Sequence, residues 1–355
     1  MNSNQNRYDK NDIQFKEKIR TGISVRFQII FILLGMSAFI FLVWWRSSLF
    51  SARENPSQIL PITPTIYKEF GGFSKPVQMG LYINQFIDFS MITNEFIFDG
   101  VVWFTFDPGV VSVETLEKFS FLKGEIISKS PPSMKLMGDK LNVQYQVRVK
   151  FSSALNYTDF PLDDHQIYIV LINQFVSPSE IYFESNRRQF VVAANVSTTG
   201  WELHDRSVQV GYFKSQLDPD DKEQQILYPG VIFLLDYGRN SIRYALSIIL
   251  PLALISYLIL LSVSLRLITA ISITAAGVTT ILAYRFVIEN LSPKTGFFML
   301  SDYLFFLFLA ATIAVFIVHV AETRYQLTPF MKKLFVLSMH ITIVLVVLLL
   351  FFAGG

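Results

Sequence analysis

One short stretch, Phe160-Pro161-Leu162-Asp163-Asp164-His165-Gln166, sets an aromatic, a proline, two acids and a histidine side by side. Acids next to a rigid proline turn can cap that turn. They can equally pair with a base at a partly buried junction, where an ion pair counts for more than at the surface. A second constellation lies in residues 267–284, an apolar run holding Thr269, Ser272, Thr274, Gly277, Thr279 and Thr280. At helical spacing Ser272, Ala276, Thr279, Ala283, Phe286 and Glu289 share one stripe. That stripe suits a water-lined path ending in a carboxylate, with Phe286 as a constriction that closes by dewetting. Small residues of this kind also let helices pack closely, and the spacing alone leaves both uses open. The four histidines, His165, His204, His319 and His340, form no metal-ligand spacing. With no nucleophile motif and no phosphate-binding glycine loop, the expectation is neither an enzyme nor a metal or cofactor protein.

The elements that must position these residues are written in the hydropathy. The chain has 355 residues, 52% hydrophobic and 16% charged, whereas soluble domains average about 25% charged. A net charge of +2 gives no reason to expect a nucleic-acid partner. There is no cysteine, so no disulfide or thiolate site supports the fold. Five apolar runs, 27–45, 244–265, 267–284, 303–320 and 334–352, approach the roughly 20 residues needed to cross a bilayer. The layout is one helix, a large domain, then four helices. Pro251 falls within the second run and can kink it.

Basic residues near helix ends set orientation. Arg7, Lys10, Lys16, Lys18, Arg20 and Arg26 precede the first run, against Arg46 and Arg53 beyond it. The segment 1–26 is therefore expected in the cytoplasm and the large domain outside an inner (plasma) membrane. Arg266, Arg324, Lys332 and Lys333 then fall inside, and Lys294 outside. The first run could alternatively be a signal peptide cleaved near Ser51-Ala52, although its leader and apolar stretch are long for that role.

Residues 57–240 show strand rather than helix periodicity. Strands are expected at 80–91, 94–106, 134–140, 141–151, 165–173, 180–183, 201–212 and 225–237, with turns at Gly138-Asp139, Pro178 and Asp218-Pro219-Asp220. Such spacing suggests a β-sandwich, followed by a four-helix membrane domain over 241–355.

In this arrangement the chain resembles the pentameric ligand-gated ion channels, the superfamily of the Cys-loop receptors, and their bacterial branch in particular. The family's Phe-Pro-Phe-Asp-x-Gln loop is similar to Phe160 through Gln166, and its Gly-Glu-Trp-like element to Gly200-Trp201-Glu202-Leu203. Arg239 and Pro251 match an arginine before, and a proline within, the first core helix. Pro293, Lys294 and Asp302 match the loop after the pore helix and the acid that opens the next one. The likeness runs from about Ser57 to Phe352 and leaves out the N-terminal helix, which is an addition to the family pattern.

The resemblance implies a homopentamer that conducts small ions when an extracellular ligand, or protons, bind. It implies coupling through Phe160, Pro161, Asp163 or Asp164, Arg239, Pro293 and Lys294. Asp164 rather than Asp163 has the family's spacing to Gln166, the bridging cysteines are missing, and Ile268 and Thr269 stand where cation-selective members carry an acid. If the loop aligns without a gap, Glu289 lines the mouth and cations are favoured. If Ser292 is an insertion, the pore face becomes Ile271, Ala275, Val278, Leu282 and Arg285, which favours anions. Aromatics available for a ligand are Trp103, Phe104, Phe175, Tyr182, Tyr212, Phe213 and Tyr228. Their faces suit cationic amines, as does the acidic tip carrying Asp218, Asp220, Asp221 and Glu223. Protons are the rival agonist, through Asp163, Asp164, His165 and His204. A non-conducting membrane sensor that kept the fold is the alternative function.

Overall fold

The computed structural model describes residues 25–55, 58–196, 198, 200–214, 226–239, 241–325 and 327–352. In chain order these form α1 (Val25–Ser47), β1 (Leu60–Pro61), α2 (Pro64–Glu69), β2 (Lys75–Ser90), β3 (Glu95–Phe106), α3 (Val113–Glu117), β4 (Ser120–Phe121), β5 (Gly124–Lys129), β6 (Ser133–Met137), β7 (Lys140–Ser152), β8 (Asp164–Ile172), β9 (Ile181–Glu184), β10 (Phe190–Val192), β11 (Trp201–Lys214) and β12 (Leu227–Arg239). Four helices follow: α4 (Ser241–Ser262), α5 (Leu267–Leu291), α6 (Leu300–Arg324) and α7 (Pro329–Phe352). The chain divides into a sheet unit, Ser51–Asn156 with Asp163–Asn240, and a helical unit, Met1–Phe50 with Tyr157–Leu162 and Ser241–Gly355.

In the sheet unit, alternation does the folding. Along β3, Phe96, Phe98, Val102, Phe104 and Phe106 are buried, while Glu95, Ile97, Asp99, Trp103 and Thr105 between them are not. On β7, Val143, Tyr145, Val147, Val149 and Phe151 point inward and Gln144, Gln146 and Arg148 outward. Period-two patterns of this kind fix the register, because a slip of one residue would turn every apolar side chain to water. One sheet runs β1-β11-β12-β8-β4 and the other β10-β2-β3-β7-β5, with β6 on β7 and β9 on β2. They share a core to which β12 gives Val231, Phe233 and Leu235 and β3 gives Phe96, Phe98 and Phe104. The expected β6–β7 hairpin turns at Gly138, whose φ of 68° suits a residue without Cβ. The turn sits where Met137 pairs with Lys140.

In the helical unit, α1, α4, α5, α6 and α7 are each long and apolar enough to cross a membrane. Pro251 lies inside α4. Helices α4 and α5 meet where a Cβ on Gly277 would come within 2.3 Å of Ile259 Cδ1. Only glycine permits that approach. Beside it, Ser262 Oγ (α4) lies 3.1 Å from Thr274 Oγ1 (α5) and 2.8 Å from His319 Nε2 (α6). This buried polar node fixes the register of the helices where apolar packing alone would not.

Candidate pore face and coupling network

Two faces of α5 have separate fates. Ala270, Thr274, Gly277, Ile281 and Ile288 are buried against neighbouring helices. Ser272, Ala276, Thr279, Ala283, Phe286 and Glu289 are all exposed. Small residues therefore lie on both sides of the helix, one side packed and the other exposed. Helix α5 is also the least apolar of the five and the one with least of its surface covered. The hydroxyls of Ser272 and Thr279 donate to the carbonyl oxygens of Ile268 and Ala275, so the stripe is polar without being unsatisfied.

Of the alternative stripe, Arg285 does not stand free. Its Nε donates to Glu289 Oε1 at 3.0 Å, and its Nη1 pairs with Asp302 of α6. Asp302 Oδ2 in turn accepts from the Met299 N–H at 2.8 Å, capping α6. A cavity of about 470 Å³ opens here, lined by Arg285, Glu289, Pro293, Lys294 and Asp302 among others. Pro293 is buried and Lys294 exposed.

The loop between β7 and β8 belongs in part to the helical unit. The backbone N–H groups of Leu300 and Ser301, at the start of α6, donate to the carbonyls of Thr158 (2.8 Å) and Phe160 (3.0 Å). These are donors that a helix N-terminus leaves without intrahelical partners. Phe160 meets Tyr244 of α4 edge-on at 6.0 Å, and the Phe160–Pro161 bond is cis. Asp159 accepts from Arg46 Nη2 of α1 at 2.7 Å, both side chains being largely buried. Three helices thus hold six residues of loop.

The other half of the motif lies in the sheet unit. Asp163 is buried, accepting from Arg239 Nε and Nη2 at 2.9 Å each. The Arg239 guanidinium covers the Trp201 ring at 4.3 Å. His165, with no exposed surface, lies between Asp163 Oδ2 (2.8 Å from Nε2) and Glu54 Oε1 (2.6 Å from Nδ1). The other Glu54 oxygen accepts the Gln166 N–H, and Oε1 also takes that of Asn156. Burial works against charge on Asp163, but Arg239 and His165 outweigh it and hold its pKa down at about 2. Burial likewise opposes charge on His165, and its bonds to Asp163 and Glu54 prevail, raising its pKa above the usual value. The cluster Glu54–His165–Asp163–Arg239 thus interleaves two carboxylates with an imidazole and a guanidinium.

The sequence motifs for Asp163, Arg239 and Trp201 therefore converge on one point. The Asp163 carboxylate is committed to Arg239 and His165. Asp164, half-buried, accepts from the Ser51 N–H at 2.8 Å. Glu54 and Arg46 were not among the expected site residues. The first stands far along the chain from His165, and the second reads in sequence only as a helix flank.

The aromatics disperse. Tyr212, Phe213 and Phe104 are core residues rather than a binding surface, and Tyr212 packs on Phe70 at 5.2 Å. Phe175 is exposed, with the Lys118 ammonium 5.4 Å from its ring centre. Tyr182 meets Tyr67 edge-on at 6.0 Å. Trp103 and Tyr228 are half-buried. The acidic tip, and the basic residues Arg7 to Arg20, lie outside the described residues. Among the described residues no group of histidines, aspartates and glutamates could hold a metal ion. No known protein family and no curated protein sequence matches the chain.

Proposed function

We propose that this chain is one subunit of a pentameric ligand-gated ion channel, in which five copies of α5 turn the Ser272–Glu289 stripe toward a common axis. The observation that carries the reading is the uncovered polar stripe of α5, on the least apolar of five membrane-length helices. A stripe of serine, threonine and alanine gains little from lipid and would be wetted in a pore. Two further features support it. The loop 157–162 is held by the first residues of α6, and Asp163 pairs with Arg239, two of the residues that the resemblance assigns to coupling. In this reading the sheet unit lies outside the membrane and the N-terminus in the cytoplasm.

Glu289 on the stripe, with Arg285 neutralised by Asp302, favours cations over anions. Phe286, 69% exposed on the same stripe, supplies the constriction. It also favours the second reading, a non-conducting sensor, should five rings close the path permanently.

The test is reconstitution in liposomes with asymmetric salt, stepping pH and a panel of amines. Gated current with a cation-selective reversal potential is the expected outcome, and Glu289→Gln moves that potential toward zero. Silence from a verified pentamer would replace the channel by the sensor. An unmoved potential in Glu289→Gln would return the pore face to Arg285.

A further inference from the structure

Helix α1 stands outside the family pattern, yet the segment that leaves it is bonded to the loop 156–166 in both units. In the helical unit, Arg46 Nη2 donates to Asp159 Oδ2 at 2.7 Å, and Arg46 is 5% exposed although it lies in the last turn of its helix. In the sheet unit, Glu54 is buried, accepts the Asn156 and Gln166 N–H groups and meets His165 Nδ1. The Ser51 N–H donates to Asp164, and Asn156 Nδ2 donates to the Arg53 carbonyl at 3.4 Å. The chain passes between the units at Phe50–Ser51, Asn156–Tyr157 and Leu162–Asp163. On each side of that division the same two segments, 46–54 and 156–166, hold one another.

A membrane tether needs none of this, because the covalent chain alone would serve. A largely buried arginine–carboxylate bond is among the stronger hydrogen bonds. The Glu54 carboxylate commits both oxygens to partners in the loop. Segment 46–54 therefore has little room to move without the loop.

What moves α1 is written in its own residues. Its apolar run 27–45 lies between Arg26 and Arg46, and 19 residues at 1.5 Å each span about 28 Å. The hydrocarbon core is about 30 Å thick. With no length to spare, α1 must tilt or shift when bilayer thickness changes. Just before Arg46 come Trp44 and Trp45, both exposed, with Phe41 beside them at 6.0 and 6.2 Å. Tryptophans at a helix end seek the membrane–water interface. Continuous helical backbone carries their depth directly to Arg46.

We propose that α1 is a bilayer gauge. Trp44 and Trp45 register the level of the interface, and Arg46 and Glu54 impose it on the loop 156–166. A role in gating rests on the channel reading, whereas the response of the loop to thickness does not require conduction.

The chain has no cysteine, so Thr158→Cys supplies a single thiol in the loop. The full chain is reconstituted in phosphatidylcholine liposomes of short, medium and long acyl chains, and the rate of maleimide labelling is followed. Ser133→Cys, on the exposed strand β6, is the control. The expected rates for Thr158→Cys differ at least about threefold between the thinnest and thickest bilayers, while those for Ser133→Cys stay constant. Arg46→Ala with Glu54→Gln flattens the Thr158→Cys series. Trp44→Leu with Trp45→Leu flattens it too, and leaves the buried bonds and the apolar character of α1 in place, so a folding defect cannot imitate the result. A flat series in the parent would overturn the proposal, as would a slope that survives either double substitution. Current recorded from the same liposomes separates the two readings: a labelling slope without gated current removes the channel and keeps the gauge.

Discussion

Two buried histidines of this chain occupy opposite circumstances. His165 has a carboxylate oxygen on each ring nitrogen, at 2.6 and 2.8 Å. His340 is buried almost as fully, yet both nitrogens lack a partner among the described residues. In the sheet unit the imidazole is a hydrogen-bonded tie between distant segments. In the helical unit it stacks on Tyr257 beside an apolar groove between α1 and α7. Burial alone therefore does not decide whether a polar group ties a fold together. The satisfaction of its hydrogen bonds does.

The sharpest way to break this contrast is the same substitution at both places. His165→Leu strands Glu54 and strips Asp163 of a partner. Loss of one member of a buried charge cluster costs about 3–5 kcal/mol, which denaturant titration of the sheet unit should register. His165 also predicts a pH effect of definite sign. Its native pKa is raised, so its stabilisation is complete below the unfolded value of about 6.5 and is lost as pH climbs through the native value. Melting temperature should fall on the alkaline side, and His165→Gln should flatten that limb. Asp163 gives the mirror-image limb, its contribution vanishing only as pH drops from about 4 toward 2.

Intermediate effects are expected where the helical unit grips its loop. Arg46→Ala removes a largely buried, charge-assisted hydrogen bond to Asp159 worth about 1.5–3 kcal/mol, and limited proteolysis near Asp159 should accelerate. Gly277→Ala forces Ile259 aside and should cost about 1–3 kcal/mol by overpacking. At the small end, His340→Leu replaces an unsatisfied imidazole by an apolar group. Its thermal stability in detergent should stay within about 1 kcal/mol of the parent or rise. A collapse there as deep as that of His165→Leu would erase the distinction between the two histidines.

Much of this fold was legible in the sequence, and the limits of that legibility are physical. The long strands β3 and β7 announce themselves because one face is buried and the other is not, and β12 does so as an apolar run buried along most of its length. Strand β5, Gly124–Lys129, did not, since it is an edge strand with mostly exposed residues and hence no contrast to read. Strands β1, β4 and β10 are too short to show any period. The five long helices were visible from hydropathy, but their stripe 267–284 could not reveal which side faces a neighbour. Gly277 against Ile259 settles that. Spacing to Gln166 pointed to Asp164, yet it is the adjacent Asp163 that pairs with Arg239. Tyr212 and Phe213 looked available because aromatic side chains serve cores and binding surfaces alike.

The six residues Tyr157–Leu162 are synthesised long before the helix that receives them. Their carbonyl partners at Leu300 and Ser301 leave the ribosome only after β8 to β12, α4 and α5 have all been made. At about 5–20 residues per second the wait is on the order of ten seconds. During it the β7–β8 connection can close at its sheet end, while Thr158 and Phe160 offer carbonyls to nothing in α6. The finished grip therefore doubles as a record of synthesis: a chain stopped short of Leu300 would keep this loop open to protease, and one carried past Ser301 would shield it.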